Sequence, residues 1–279
     1  MKIQSLIENT RLDKNLISEH GLSLYFELGY KKYLLDTGAS GNFIKNAEIL
    51  NIDLKNLDAI FISHNHYDHI GGLEKLFEIN NSAKVYIKEQ AKKDYYKKLP
   101  IGKDYIGGDK KLFETYKNRF VFIDNNINID SNIEIYSNEV QDKKYFCQDK
   151  SLCILEKRIL IDDDFKHELF LIIKEKDGLV ILSSCSHNGI VNIIATVKNK
   201  YPEMPIKAIV AGFHMKGSLG MNSLNCSEEY VRDVANKLIE FDINKIFTCH
   251  CTGIKAYGIM KNILKDKLEY FETGKSIEI

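Results

Sequence analysis

Six of the chain's eight histidines fall in four short segments that could hold metal. The densest is His64-Asn-His66-Tyr-Asp68-His69-Ile-Gly71-Gly72, with three imidazoles and one carboxylate inside six residues. Zinc, manganese and iron all accept that mixture of nitrogen and oxygen donors. Loop residues two apart diverge, and Asp68 and His69 project elsewhere, so one ion cannot easily gather all four. Two adjacent ions, each completed by donors from distant segments, solve the geometry. His187, in Ser-Cys185-Ser-His187-Asn-Gly, and His250, in Cys249-His250-Cys251-Thr-Gly253, are the obvious distant candidates. A pair of divalent ions activates water near neutral pH and clamps the attacking and leaving oxygens.

The elements that must position these residues share one layout. Four apolar runs read as strands that end in a histidine with glycine close by: Phe-Ile-Ser-His64, Ser-Cys-Ser-His187, Ala-Gly-Phe-His214 and Thr-Cys-His250. Open α/β sheets place their sites at strand ends, where glycine permits sharp turns. Strands are predicted at 2–7, 22–28, 32–36, 83–87, 119–123, 133–137, 169–174, 179–184, 207–211 and 245–249, and 57–63 is a further apolar run. Ile190, Ile193, Ile194 and Val197 have helical spacing, and Ser227 is a predicted N-cap ahead of Val231, Val234, Ala235 and Leu238. The Lys- and Tyr-rich stretch 92–98 is predicted as a solvated helix. Asp162-Asp163-Asp164 is expected to be a solvated acidic turn, and Cys249 and Cys251 to be buried structural cysteines facing away from His250. Strands before and between helices favour an α/β layered architecture.

Composition narrows the classes. With 279 residues, 44% hydrophobic and 28% charged, the chain reads as a packed globule and not as collagen, mucin or a disordered polymer. Lys plus Arg (39) equal Asp plus Glu (39), so no net field favours nucleic acid or an anionic membrane. No run approaches the roughly 18–20 apolar residues of a membrane span. The first residues lack the apolar core of a signal peptide, and the six cysteines show no C-x-x-C spacing. A reduced, cytoplasmic protein acting on a small-molecule substrate is the expectation.

His64-x-His66-x-Asp68-His69 followed by Gly-Gly resembles the defining motif of the metallo-β-lactamase superfamily. With Leu34-Leu-Asp36-Thr-Gly38, the His187 segment, Gly212-Phe-His214 and the His250 segment, the pattern resembles its branch of superfamily II metal-dependent hydrolases. The resemblance covers nearly the whole chain. It implies an α/β fold, the four-layer αββα sandwich, as one domain over 1–279, and two divalent metal ions, zinc first with Mn, Fe or Mg as alternatives. It puts His64 and His66 on one ion, Asp68 and His69 on the other, matches His250 to the C-terminal ligand, and leaves His187 to complete the first ion. Cys185 stands where better-known members carry a bridging aspartate, so it is either a ligand or a support behind the ligands. His167 and Glu168 lie where a further ligand would be sought. Asp36 is expected to accept hydrogen bonds from ligand imidazoles, and Asp68 and His214 to act on the substrate.

The implied reaction is hydrolysis of a small phosphoester or acyl substrate. A pterin-type transferase displacing diphosphate, a di-iron redox enzyme and a non-catalytic pterin- or phosphate-binding protein stay open as alternatives. The turn Leu34–Leu35-Asp36-Thr37-Gly38 also resembles that of aspartic proteases, but only one such triplet occurs and the histidine cluster would then serve nothing.

Overall fold

Apolar runs of three to six residues become strands throughout the computed structural model, which describes residues 1–279. The strands sort into two units. The N-terminal unit comprises 1–124, 150–167 and 272–279; the C-terminal unit comprises 125–149 and 168–271.

In the N-terminal unit β1 (Lys2–Ile7), β2 (Ser23–Leu28) and β3 (Lys31–Leu35) run antiparallel. Helix α1 (Asn42–Ile49) then leads to β4 (Ala59–Phe61), parallel to β3. Two short helices, α2 (Tyr67–Ile70) and α3 (Leu73–Ile79), lead to β5 (Lys84–Lys88), parallel to β4. β6 (Tyr95–Lys98), β7 (Lys103–Tyr105) and α4 (Lys111–Thr115) precede β8 (Phe120–Ile123), which pairs with β5. β9 (Ile127–Asn128) and β10 (Ile133–Tyr136) open the other unit before β11 (Leu152–Glu156) and β12 (Ile159–Asp162) return to pair beside β6.

The C-terminal unit continues with the hairpin β13 (Phe170–Glu175) and β14 (Gly178–Leu182). Alternation of helix and parallel strand follows: α5 (Ile190–Lys200), β15 (Ile206–Ala211), α6 (Glu228–Ile239), β16 (Ile243–Thr248), α7 (Ile254–Leu264) and β17 (Leu268–Tyr270). The last strand, β18 (Ser276–Glu278), pairs antiparallel with β1. Each unit thus owns one seven-stranded sheet, β18-β1-β2-β3-β4-β5-β8 and β17-β16-β15-β14-β13-β10-β9, and the N-terminal unit adds β12-β11-β6-β7.

Helices cover each large sheet through an apolar stripe. Phe43, Ala47, Leu73, Leu76 and Phe77 join Leu34, Ile60 and Val85 in one core. Ile190, Ile193, Ile194, Val197, Val231, Val234, Ala235 and Leu238 join Leu179, Ile181, Ile209 and Ile246 in the other, as their helical spacing requires. Each such side chain contributes about 1.5–3 kcal/mol when buried. Ser227 caps α6 by accepting the Tyr230 N–H at 3.1 Å.

The stretch 92–98 differs from its predicted helix. A 3-10 turn, Glu89–Lys92, gives way to β6, whose Tyr95 is 1% exposed and whose backbone pairs with β11 and β7. Tyrosine suits a half-buried pleated surface, and the pairing outweighs the helix preference of the lysines. No helix is long and apolar enough to cross a membrane.

Candidate metal sites

In the N-terminal unit β4 ends at Phe61, and the chain runs straight into His64. His66 sits in extended conformation as the N-cap of α2, whose one turn holds Asp68 and His69. The loop after β3 packs closely here: a Cβ on Gly71 would lie 2.4 Å from the Ala39 carbonyl oxygen, and one on Gly72 2.2 Å from that of Thr37. Only glycine allows this approach. The four predicted donors come together, with the His64 ring 4.6 Å from that of His66 and 4.2 Å from that of His69.

Asp36 orders their protons. Its carboxylate accepts the Ser63 backbone N–H and hydroxyl, both at 2.7 Å, and His69 Nδ1–H at 2.8 Å. The Ser63 hydroxyl proton is therefore committed to Asp36, so Ser63 Oγ accepts from His64 Nδ1 at 2.8 Å. Both imidazoles carry the proton on Nδ1 and offer Nε2 as the donor atom, the arrangement that carboxylate-backed ligand histidines adopt. Asp36 itself is held at φ 61°, a left-handed strain of order 1–3 kcal/mol that the surrounding bonds must offset.

The electrostatics suit a cation. Burial disfavours a charged His69, but Asp68 and then Asp36 outweigh it and push its pKa up to about 10. A spot that holds a proton this firmly draws positive charge, and a metal ion would take the proton's place. Burial, reinforced by His167, takes His66 down to about 3, so that imidazole is neutral as a ligand must be. Asp68 Oδ2 lies 3.5 Å from His69 Nε2 and 3.3 Å from Nε2 of His20, a histidine that no sequence motif singled out.

His167 also belongs to this neighbourhood. Its ring stacks on Tyr95 at 3.8 Å and lies 5.3 Å from that of His66. Asn65 N–H donates to His167 Nδ1 at 3.1 Å, so in the neutral ring the proton sits on Nε2, 3.3 Å from Asp163 Oδ2. Through Nδ1, His167 buttresses the loop that carries His64 and His66. Asp163, expected in a solvated turn, has its side chain only 1% exposed because this histidine pulls it in.

The C-terminal unit places its candidates at three strand ends. β14 runs into 183–189, β15 into 212–217 and β16 into 249–253, and each turn contains a left-handed residue that is not glycine: Ser186 (φ 53°), His214 (φ 47°) and His250 (φ 48°). The loops are tied together. Gly212 N–H donates to Ser184 O at 2.6 Å, Met215 N–H to Cys251 O at 2.9 Å, and Phe213 N–H to Thr252 Oγ1 at 2.8 Å. His187 lies with its ring 4.2 Å from that of His214. His250 is buried at the start of its 3-10 turn.

Glu168 holds the loop that carries His187. Its carboxylate accepts His187 N–H at 2.7 Å, Asn188 N–H at 2.9 Å and the Asn188 side-chain amide at 2.8 Å, fixing the loop that presents His187. Cys185 sits with Cys251 and His214, each offering one donor atom within 4.8 Å of the others, and Cys147 forms a similar group with His187 and His214. Cys251 is thus no bystander; His214 N–H donates to its sulfur at 3.2 Å. Burial opposes its ionisation, but Cys185 and His214 hold the thiol well below its ordinary pKa. The adjacency of Cys251 to His250 was the signal for it. Cys147 gave none, because its neighbours in space are 40 and 67 residues away in sequence.

The family model described as the metallo-β-lactamase superfamily matches residues 20–145. The chain is 29% identical over 276 residues to the 7,8-dihydropterin-6-methyl-4-(β-D-ribofuranosyl)-aminobenzene-5′-phosphate synthase of Methanocaldococcus jannaschii, covering 94% of this chain and 90% of that one. An uncharacterised protein of the same organism is also 29% identical, over 99% of this chain and all of its own. A solved metal-dependent hydrolase of the β-lactamase superfamily superposes with a TM-score of 0.82 at 28% identity, covering 100% of this chain and 99% of that one. Its fold is the one these sheets and helices form. In motif, sequence and fold the chain resembles the metallo-β-lactamase superfamily, and residues 20–145 match that family's model.

Proposed function

We propose that the protein is a divalent-metal-dependent hydrolase of a small phosphoester or acyl substrate. The observation that carries this reading is the Asp36–Ser63–His64/His69 network, which fixes two neighbouring imidazoles through their Nδ1 atoms and sets His69 Nε2 3.5 Å from the Asp68 carboxylate. Six residues are proposed as ligands: His64, His66, Asp68 and His69 from the N-terminal unit, His187 and His250 from the C-terminal unit. The donor set of nitrogen and carboxylate oxygen fits two ions of zinc, with manganese, iron or magnesium as alternatives. Bound there, divalent ions would supply Lewis acidity and a nucleophile at neutral pH.

The chain's own residues then have separate tasks. Asp36 keeps His69 and, through Ser63, His64 in the ligating tautomer. Glu168 holds the His187 loop by its backbone. Asp68 places a carboxylate at the reacting centre, where it holds or receives a proton.

A second reading is favoured by one finding, the 29% identity to the pterin synthase over most of both chains. There divalent ions held by the same donors would bind the diphosphate leaving group of a pterin substrate, and an aromatic nucleophile would displace it. Metal analysis of the purified chain with turnover of bis-p-nitrophenyl phosphate, in wild type and His66→Ala, tests the first reading. Two ions per chain with turnover abolished by the substitution is the expected result. Two ions without turnover of any phosphodiester, but with loss of a pterin diphosphate in the presence of an aminobenzene, would move the assignment to the second. Full turnover in His66→Ala would sink both.

A further inference from the structure

We propose that β12 is a dimerisation edge, where a second copy of this chain pairs its own β12 antiparallel about a two-fold axis at Leu160. In the four-stranded sheet β12 pairs only with β11, so its outer side ends the sheet. The turn that leads into it fixes which backbone groups face outward. Lys157 (φ 48°) and Arg158 (φ 68°) are the two left-handed residues that a tight hairpin between β11 and β12 requires. Asp163 N–H donates to Leu152 O at 3.2 Å, toward β11. Counting back by the strand's period of two, Ile161 and Ile159 also turn their N–H toward β11, and Leu160 and Asp162 turn theirs to the open side.

Of the sheet edges, β12 is the one built to be covered. Ile159 and Ile161 are 65% and 41% exposed, although the face they extend begins with buried Ile154. The strand contains neither Pro nor Lys, residues that protect natural edges against pairing. The other edge of the same sheet, β7, is Lys103-Asp104-Tyr105 and carries such charges. The edge strands of the two large sheets, β18, β8, β17 and β9, expose no aliphatic side chain.

Charge complementarity names the occupant. The edge reads Arg158-Ile-Leu-Ile-Asp162, basic at one end and acidic at the other. A two-fold axis at Leu160 lets the two Leu160 residues exchange N–H···O=C bonds across it. It also sets Ile159 opposite Ile161 of the second copy, and Arg158 opposite Asp162 of the second copy. Four isoleucines then meet in one cross-strand cluster, flanked by two opposite-charge pairs. Parallel pairing would instead oppose Arg158 to Arg158 and Asp162 to Asp162. One step further out Glu156 approaches Asp164 of the second copy, but Lys93 already pairs with Glu156 at 2.5 Å and Lys166 with Asp164 at 2.6 Å. Because both copies use the same edge, pairing consumes it and assembly stops at two.

None of the residues proposed to hold metal takes part, so the two assignments fail independently. The test is sedimentation velocity of the full chain from about 1 to 300 µM, over which mass action should carry wild type from monomer to dimer. Arg158→Asp and Asp162→Arg, both at exposed positions, should each weaken the dimer about tenfold or more, because like charges then meet at both ends. Mixed in equal amounts, the two variants should associate as wild type does, since every Asp in the mixed dimer faces an Arg. Hydrogen exchange of wild type against concentration reads the pairing directly. The amides of Leu160 and Asp162 should gain protection as the dimer forms, with those of Ile159 and Ile161 unchanged. A monomer at every concentration, a dimer that survives in either charge variant, a mixture that stays monomeric, or mass that grows beyond two copies would each overturn the proposal.

Discussion

The N-terminal unit collects its donors from one loop, whereas the C-terminal unit collects them from three strand ends. His64, His66, Asp68 and His69 span six residues behind β4, and Cys185, His214 and Cys251 span sixty-seven behind β14, β15 and β16. Imidazoles dominate the first set, with the Asp68 and Asp36 carboxylates raising His69. Sulfur dominates the second, and Glu168 in the same unit accepts the backbone N–H groups of His187 and Asn188. One set pairs imidazole with carboxylate and the other pairs imidazole with thiol. Donor-bearing residues can thus be gathered in one fold either locally, by adjacency in a loop, or by topology, at the ends of successive strands.

The largest effects should come from the glycines that let each set form. Gly189→Ala puts a Cβ 1.9 Å from Tyr145 O at φ 87°, and Gly72→Ala puts one 2.2 Å from Thr37 O. Each should lose about 3 kcal/mol or more of stability by urea unfolding. A loss below 1 kcal/mol at either would show that its loop is not closely constrained.

Next come the two carboxylates. Asp36→Asn strips charge from three donors and should cost about 3 kcal/mol, with metal binding 10–100-fold weaker by competition with a chromogenic chelator. Glu168→Gln should cost about 2 kcal/mol, since its partners are backbone and amide N–H groups and no imidazole is directly involved. If the order were reversed, the charge asymmetry between the units would be wrong.

A smaller, pH-dependent effect belongs to the C-terminal unit alone. Glu134 is buried, which by itself would raise its pKa, but Lys174 at 2.7 Å, Tyr201 Oη at 2.5 Å and Lys200 at 3.2 Å hold it below the ordinary 4.5. A depressed folded-state pKa contributes stability above the unfolded pKa and loses it as pH falls through the folded value. Glu134→Gln should therefore cost about 1–2 kcal/mol at pH 7, with the difference from wild type vanishing at the acid end of a stability titration. A difference that persists unchanged into strong acid would refute the ion-pair origin. The least effect is Ser227→Ala, about 1 kcal/mol for a lost cap with metal content unaltered.

These differences also decide what sequence could reveal. The His64–His69 loop was legible because its donors are adjacent, and the amphipathic stripes of α5 and α6 were legible because burial imposes their period. Asp36 was legible from its motif, though not its left-handed backbone. His167 with His66 and Cys147 with His214 were not, because residues so far apart in sequence meet only through the fold and leave no local periodicity. The helix predicted at 92–98 failed in part for the same reason: of the two strands that pair with β6, β7 is close by but β11 lies more than fifty residues downstream.

The pairing of β1 with β18 has a consequence for how the protein comes into being. Lys2 meets Glu278 and Gln4 meets Ser276, a sequence separation close to the whole chain length. β13 to β17 are laid down in order within 168–271 and need only short closures, so their unit can fold as it is synthesised. The outermost strand of the other sheet has to wait, because its closure entropy is offset only when the final segment arrives. Pulse-labelling hydrogen exchange should find amides of β1 facing β18 among the last to be protected, which makes that sheet edge the point where a newly made chain is most exposed to wrong partners.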